Sequence, residues 1–188
     1  MIISISGVPG SGKTSAAKIL AESLGMKFYS MGGLREKMAL ERGVTIDELN
    51  ALGESDPTTD TSVDEYQREL GTKEDGFVIE GRLSWHFIPR SFKVFLDCDP
   101  KEAARRVYGA QHAGERRDED AHATVDATRA YLDRRIASDV RRYREYYGVD
   151  YRDHGHYDLI VDTTPFKGPE ETAHAIRDAL RERGLTRG

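Results

Sequence analysis

The chain has 188 residues, a length that suits one globular domain of ordinary size. Apolar residues make up 38% of the chain and charged residues 32%, which excludes an integral membrane protein. No apolar run approaches the roughly 20 residues that a membrane-spanning helix needs. The net charge of −5 argues against nucleic acid as the main partner, because binding to a phosphate backbone favours a basic surface.

The N-terminus and the cysteine content favour a cytoplasmic location. The opening segment MIISISG lacks the basic flank and the long apolar core of a signal peptide. Cys98 is the single cysteine and lies in an apolar run, so we interpret it as a core thiol in a reducing compartment. We therefore expect a cytoplasmic monomer that does not contact a membrane.

In the first part of the chain, short apolar runs alternate with helical patterns. An apolar run at 2–6 leads into a glycine-rich stretch, and a helix follows that ends at Gly25. After a short strand at 27–30, a helical stretch opens at Gly32-Gly33 and reaches about Gly43. The spacing Thr45-x-x-Glu48 predicts a capping box at the start of the next helix.

A further helix is predicted to begin at Pro57, with two distinct faces. Its apolar residues are expected to face inward: Val63, Tyr66 and Leu70. Its polar face consists of Asp60, Asp64 and Gln67. This polar face either binds a ligand or is simply exposed to solvent.

The second part of the chain continues the alternation. Strands are predicted at 76–80, 92–97 and 157–162, and helices start at Pro100, near 122 and near Pro169. Residues 109–121 carry many charges without apolar periodicity, which is typical of an exposed, mobile loop. Five strands that alternate with helices predict an α/β fold, with a five-stranded parallel sheet flanked by helices.

The glycine-rich stretch after the first strand matches the phosphate-loop (Walker A) pattern G-x-x-x-x-G-K-[ST] at every fixed position. In such a loop, successive backbone N–H groups surround a phosphate at the N-terminus of a helix. Lys13 is then expected to reach the β- and γ-phosphates of ATP, and the Thr14 hydroxyl to bind Mg²⁺. The residues concerned are Gly7, Val8, Pro9, Gly10, Ser11, Gly12, Lys13 and Thr14.

A phosphate loop alone does not specify a reaction, but other features narrow the choice. GTPases recognise guanine with an Asn-Lys-x-Asp motif, and the single asparagine of this chain, Asn50, is not part of one. Helicase-type ATPases need longer chains. A small kinase fits, because it needs only the loop, an acceptor pocket and a lid that keeps water from the γ-phosphate.

The predicted strand ends indicate where an acceptor would bind, because ligands of open parallel sheets lie at the carboxyl ends of the strands. The third strand ends in Glu80-Gly81-Arg82. Arg82 is suited to bind an acceptor phosphate, and Gly81 permits a close approach to the backbone. Glu80 could orient Arg82 or take part in acceptor recognition. Arg35 could approach from the helix after the second strand. Asp97, which ends the fourth strand, either supports Mg²⁺ from the second shell or caps the next helix.

Arginine dominates the second half of the chain, with eleven arginines and no lysine between Lys101 and Lys167. Arg135, Asp139 and Arg142 share one face of the long helix, so one carboxylate could hold two guanidinium groups ready for phosphates. An ordinary salt-bridge ladder would give the same spacing. Arg116 and Arg117 in the preceding loop are either lid contacts or solvated charges.

Together these segments resemble nucleoside monophosphate kinases, and most of all the archaeal-type members of the cytidylate kinase-like family. The matching segments, in the family's order, are ISGVPGSGKTSAAKILAESLG, the Ser30-x-Gly32 turn with MALERG, VIEGRLSW, and the region from RRYREYYGVD to YDLIVDTT. In place of the Gly-Asp that often follows the second strand in this family, the chain has Gly32-Gly33, so a polar acceptor contact is missing. The family's following arginine is also placed differently, which leaves Arg35 as its substitute.

The resemblance implies a P-loop fold of the adenylate kinase type and the reaction of ATP with CMP or dCMP, in the presence of Mg²⁺. It implies a core at 1–31, 74–108 and 148–188, a helical acceptor-binding insertion at about 32–73, and a lid with its helix at about 109–147. Alternatives are a kinase for AMP, shikimate or dephospho-coenzyme A, or a regulatory factor on the same fold. The residues implied beyond the phosphate loop are Arg82, Arg135 and Arg142 for catalysis, and Gly32, Gly33, Arg35, Asp60, Asp64, Gln67, Glu80, Gly81 and Asp139 for the acceptor.

Overall fold

The fold is built on a five-stranded parallel sheet, as the sequence predicts. The computed structural model describes residues 1–53, 58–114 and 121–186. All neighbouring strands run parallel, in the order β2-β3-β1-β4-β5. The strands are β1 (Ile2–Gly7), β2 (Lys27–Ser30), β3 (Phe77–Glu80), β4 (Phe92–Asp97) and β5 (Leu159–Asp162).

Helices connect the strands and cover both faces of the sheet, as parallel pairing requires. Several helices begin at a side-chain cap: Ser30, Asp99 and Thr124 each accept hydrogen bonds from backbone N–H groups of the first turn. The helices are α1 (Lys13–Ser23), α2 (Met31–Glu41), α3 (Ile46–Gly53), α4 (Thr58–Lys73), α5 (Ser84–Phe87), α6 (Pro100–His112), α7 (Val125–Tyr147) and α8 (Pro169–Glu182).

Alternate residues of β1 face different layers of the core, which is why its apolar run is nearly continuous. Ile3 and Ile5 pack among α1 and α8, next to Leu20 and Ile176. Ile2 lies on the opposite face, in a cluster that includes residues of β3 and α4. Ser4 and Ser6 share that face, and both hydroxyls form hydrogen bonds although they are buried.

Several predicted boundaries differ from the structure, and two of them flank the predicted loop 109–121. Helix α6 continues through His112, so the first residues of the predicted loop 109–121 are helical. Val107 and Gln111 are buried one turn apart. Their burial stabilises the helix here, although the sequence of this segment lacks a long apolar pattern. Helix α7 begins after the Thr124 cap, slightly later than predicted, because that hydroxyl satisfies the N–H of Ala127.

The capping box predicted at the start of α3 is confirmed. The Thr45 backbone N–H donates to Glu48, and the Glu48 backbone N–H donates to the Thr45 hydroxyl at 3.1 Å. These hydrogen bonds from Thr45 lower the pKa of the Glu48 carboxyl. The sequence pattern thus located the start of this helix correctly.

The predicted faces of α4 are partly wrong. Val63 and Leu70 are buried as expected, but Tyr66 is 40% exposed. Asp64 and Gln67 are buried, which overturns the solvent-exposed interpretation for these two residues. They face α7 and α5, where Tyr147 and Ser84 donate hydrogen bonds to them. Asp60 lies in the helix, but its side chain falls outside the described part of the structure.

Within the described residues, no helix combines the length and the apolar character needed to cross a bilayer. The helices between β2 and β3 span the predicted acceptor-binding insertion, and α7 spans most of the predicted lid. The division of the chain into core, insertion and lid stays a prediction.

Two helical glycines allow a matched test of the packing. At Gly71 in α4, an added Cβ would lie 2.9 Å from both Cγ atoms of Ile88, whereas nothing lies within 4 Å at Gly109 in α6. We expect Gly109→Ala to stabilise the protein by about 0.5–1 kcal/mol, because alanine restricts the unfolded chain and favours helix. Gly71→Ala should instead destabilise it, because overpacking costs roughly 1–3 kcal/mol.

Urea unfolding of the two variants and the parent protein measures both effects. Equal stabilisation by both substitutions would mean that the close approach of α4 to Ile88 is wrong.

Candidate functional site

The phosphate loop between β1 and α1 forms an open turn that only glycine can build at two of its positions. Gly10 and Gly12 have φ values of 83° and 80°, in the left-handed region that disfavours side chains. A Cβ at Gly10 would also lie 2.6 Å from the carbonyl oxygen of Ala103. Lys13 Nζ donates to the Val8 carbonyl at 2.9 Å, so its ammonium group lies across the loop. This cradle fits a bound phosphate group.

Two cavities meet beside this loop. The larger one, about 520 Å³, is polar and also receives Arg106 and Arg135. The smaller one, about 90 Å³, extends toward α4 and α7. The residues that line both cavities are Lys13, Gly32, Glu80 and Arg82. A phosphate bound in one cavity would therefore lie next to a phosphate bound in the other.

Arg82 is held in this shared wall by an ion pair with the long helix. Its Nε lies 2.9 Å from Oδ2 of Asp139. The two groups form an ion pair, but their angle does not meet the requirement for a hydrogen bond. Burial by itself lowers the pKa of Arg82, but the charge of Asp139 opposes this and the net effect raises the pKa. The guanidinium thus remains charged beside the cavities.

The backbone of Arg82 is also restrained. Its carbonyl accepts hydrogen bonds from the Ser6 hydroxyl and the Trp85 indole, both at 3.1 Å. The buried Tyr151 ring lies below the guanidinium, with 5.9 Å between the ring centroid and Cζ of Arg82. Burial raises the pKa of Tyr151 to about 12, against the opposing effect of Arg82. Trp85 stacks on His156 and belongs to the core at this position.

Of the two roles that the sequence left open for Glu80, the structure does not show the pairing with Arg82, while Glu80 does line both cavities. Its Oε1 accepts a hydrogen bond from the Ser30 hydroxyl at 2.5 Å, which ties the ends of β3 and β2 together. Ser30 also caps α2 by accepting from Gly33 N, so Gly33 belongs to the turn. A Cβ at Gly81 would lie 2.6 Å from the Ser84 hydroxyl, so the packing of this turn leaves no room for a side chain there.

Arg106 shapes the side of the site that faces β5. Its guanidinium pairs with Glu102 and donates to the carbonyls of Thr163, Thr164 and Phe166. Hydrogen bonds from Arg105 and then Arg106, against the effect of burial, lower the pKa of Glu102 to about 2. A further cavity of about 440 Å³ lies between Arg106, Ser11 of the phosphate loop and the segment 164–169.

The structure brings most of the predicted site residues together. Gly32, Arg35, Asp64, Gln67, Glu80, Gly81 and Arg82 line the smaller cavity, and Thr14 and Arg135 line the larger one. Arg142 lies elsewhere: it is buried, pairs with Asp139 at 3.0 Å and donates to the Asn50 carbonyl. Arg82 is therefore the second arginine whose guanidinium group pairs with the Asp139 carboxylate, a position for which the sequence had suggested Arg135.

Asp97 lines neither of these two cavities. It lines a different cavity with His154, whose Nε2 is 3.6 Å from Asp97 Oδ2. It does not cap α6 either, because that cap is Asp99. The predicted lid residues Arg116 and Arg117 lie outside the described residues.

Sequence reasoning missed three contributors to the site. Tyr147 belongs to the apolar stripe of α7, yet its hydroxyl reaches Asp64 in the smaller cavity. Ser84 and Arg106 each gain their role from partners far away in the chain. For Arg106, the sequence offered one indication: the pair Arg105-Arg106 follows Glu102 at helical spacing.

Comparison with known proteins agrees with this geometry. The model of the cytidylate kinase-like family matches residues 2–165. The chain belongs to the cytidylate kinase-like family. A relative named cytidylate kinase from Methanocella arvoryzae is 37% identical over 184 residues, which cover 97% of this chain and 99% of the relative. Another, from Archaeoglobus fulgidus, is 35% identical and covers 88% of this chain and 87% of its own.

Solved structures show the same fold at much lower identity. A shikimate kinase from Bacteroides thetaiotaomicron has a TM-score of 0.66 at 17% identity and covers 96% of this chain and 98% of its own. The shikimate kinase of Aquifex aeolicus has a TM-score of 0.61 at 20% identity, with 98% and 99% covered. The family member described here therefore has the P-loop kinase fold.

Removal of the central charge tests the Arg82–Asp139–Arg142 network. Asp139→Asn should lower the free energy of unfolding by roughly 3 kcal/mol, because it leaves two largely buried guanidinium groups without their counter-charge. Asp133→Asn is the matched control on the same helix, with an exposed partner 3.9 Å away, and should change stability by less than about 1 kcal/mol. Denaturant unfolding at neutral pH measures both variants, and equal effects would contradict the network.

The pKa of Glu102 gives a pH-dependent prediction. Because its folded pKa lies near 2, below its usual value of 4.5, its ionised form stabilises the fold above about pH 4.5. That contribution should disappear as the pH falls from 4.5 toward 2. The stability difference between the parent protein and Glu102→Gln should therefore shrink over this range in urea titrations, whereas parallel pH profiles would contradict the assignment.

Proposed function

We propose that this protein transfers the γ-phosphoryl group of ATP to CMP or dCMP. The family assignment makes the chain a nucleoside monophosphate kinase. The observation that supports transfer between two bound phosphates is the shared wall of the two cavities, and the support for CMP comes from the relatives named cytidylate kinase. Lys13, from the phosphate loop, and Arg82, from the end of β3, both stand where donor and acceptor phosphates would meet.

The donor is assigned to the larger cavity. The backbone N–H groups at the N-terminus of α1 suit the β-phosphate, and Lys13 suits the β- and γ-phosphates. The nucleoside part of the donor has room in the adjoining cavity beside Arg106 and the segment 164–169. Mg²⁺, held through the Thr14 hydroxyl, would supply charge neutralisation on the donor phosphates.

The acceptor is assigned to the smaller cavity, with its phosphate at Arg82 and Arg35. An oxygen of the acceptor phosphate forms the new bond to the γ-phosphorus while the bond to the β,γ-bridging oxygen breaks, and ADP leaves. No general base is needed, because the acceptor phosphate is already ionised at neutral pH. Lys13, Arg82 and Arg135 act by positioning and by charge stabilisation, and an arginine in such a role contributes about 10³–10⁵ in rate.

Substitution of the two shared cations tests the proposal. Lys13→Ala should abolish turnover, because the transferring group loses its principal cation. Arg82→Ala should raise the KM for CMP with a much smaller effect on the KM for ATP, since Arg82 faces the acceptor. Arg82→Lys keeps the charge but loses the planar guanidinium group that can bind phosphate through two parallel hydrogen bonds. The KM of this variant for CMP should therefore lie between those of the parent and the alanine variant.

Steady-state ADP release with CMP, dCMP, UMP, AMP and shikimate measures these effects. Arg129→Ala, on an exposed part of α7, is the matched control and should retain parental kinetics. Parental turnover in Lys13→Ala, or slow ATP hydrolysis that no acceptor in this panel accelerates, would overturn the proposed function.

A further inference from the structure

Three buried polar atoms lie in one cluster behind the cavity wall without an aligned hydrogen bond. They are Nε of Arg82, Oδ2 of Asp139 and the hydroxyl oxygen of Tyr151, and none of them has such a partner among the described residues. Buried polar groups in proteins are nearly always hydrogen-bonded, because an unpaired donor or acceptor costs free energy. Three such atoms in one place therefore require a physical explanation.

The ring of Tyr151 is fixed in the core. The residue is fully buried, its ring packs edge-on against Tyr143 with 5.9 Å between the centroids, and its carbonyl accepts a hydrogen bond from the Tyr157 hydroxyl. Burial is the largest cause of the raised pKa of this phenol; Arg82 opposes it and Asp139 adds to it, so both charged groups lie near the hydroxyl. With the ring fixed, only the hydroxyl hydrogen can turn, and it can donate to one of these neighbours.

The two carboxylate oxygens of Asp139 are held differently. Oδ1 accepts a hydrogen bond from the Arg142 guanidinium at 3.0 Å, and the side chain of Arg142 is only 2% exposed. This anchor does not depend on Arg82. Oδ2 instead faces Arg82 Nε at 2.9 Å in the misaligned ion pair. The carboxylate would therefore keep its position if Arg82 turned away, and only Oδ2 would change its partner.

Arg82 is the member of the cluster that can reach a ligand. Its side chain is 20% exposed and lines both cavities, whereas Asp139 and Tyr151 line neither. Its backbone carbonyl is held by Ser6 and Trp85, so any movement belongs to the side chain. A phosphate in the cavities and the Asp139 carboxylate compete for the same guanidinium, because both are anions. A guanidinium that turns toward the phosphate leaves Oδ2 buried with less of its counter-charge, which is costly.

We propose that Tyr151 is a positioning residue that frees Arg82 for the acceptor phosphate. In the free protein, Arg82 holds Asp139 Oδ2, and the Tyr151 hydroxyl has no aligned partner within the described part of the chain. When the guanidinium turns to the phosphate, the Tyr151 hydroxyl donates to Oδ2 in its place, and this charge-assisted bond offsets the loss. Binding thereby satisfies a group that the free protein leaves unpaired. This inference rests on the proposed function and adds to it a residue that touches neither substrate.

Tyr151→Phe removes only the hydroxyl and should have opposite effects on stability and on acceptor binding. Because this hydroxyl is unpaired in the free protein, the urea midpoint of the variant should stay at or above that of the parent. The KM and the calorimetric Kd for CMP should both rise about tenfold, since a hydrogen bond to a charged group is lost from the bound state. The KM for ATP should stay parental. A purely structural role for the hydroxyl would lower the urea midpoint instead, and that result would overturn the inference.

A double substitution tests whether Tyr151 acts through Arg82. In the Arg82→Ala background there is no guanidinium to release, so the addition of Tyr151→Phe should leave the KM for CMP unchanged. Additive effects of the two substitutions would mean that the residues act independently, and they would overturn the inference.

Tyr29→Phe is the matched control, because it removes a tyrosine hydroxyl that is bonded, to Glu74 at 3.0 Å, and Tyr29 lines neither cavity. It should lower the urea midpoint and keep the parental KM for CMP. A parental KM and Kd for CMP in Tyr151→Phe, with CMP still phosphorylated, would overturn this inference alone. Binding of CMP that weakens in Tyr151→Phe as expected, without turnover by the parent protein, would overturn only the proposed reaction. A parent protein that binds no CMP would overturn both.

Discussion

The ion pair between Arg82 and Asp139 connects the end of a central strand to the long helix α7, and the site depends on it. A guanidinium group at this depth needs a counter-charge, because desolvation otherwise disfavours its charged form. Asp139 supplies that charge and shares it with Arg142, which in turn donates to the Asn50 carbonyl in α3. One carboxylate thus fixes an arginine that lines both cavities and also the position of α7 against α3.

Parallel pairing explains why so many functional groups meet at one edge of the sheet. Every strand presents its carboxyl end to the same side, so Gly7, Ser30 and Glu80 come together although they are far apart in the chain. The strand order places β3 beside both β1 and β2. The phosphate loop, the start of α2 and Arg82 are therefore neighbours by topology, and side-chain bonds such as Ser30 to Glu80 only refine their positions.

Features encoded within a few residues could be predicted from the sequence, and features that depend on distant partners could not. The phosphate loop and the Thr45–Glu48 capping box are local patterns with direct physical causes, and both were located in advance. Helical spacing correctly indicated Arg142 as a partner of Asp139, but it could not indicate Arg82, which the three-dimensional fold brings to the same carboxylate. For the same reason the sequence could not decide whether the polar residues of α4 bind a ligand or face solvent: their partners, Tyr147 and Ser84, come from other elements.

The contacts of α7 also bear on how the site works as a unit. Its predicted role is that of a lid helix, yet its C-terminal half bonds the acceptor side at three points. Arg142 donates to the Asn50 carbonyl, Tyr146 to the Gly53 carbonyl and Tyr147 to Asp64. These contacts cross between segments that are more than 80 residues apart in the chain. Any movement of this half of α7 would strain the hydrogen bond to Asp64 and the ion pair to Arg82 together. The positions of Asp64 and Arg82, which both line the smaller cavity, are therefore linked through a single helix.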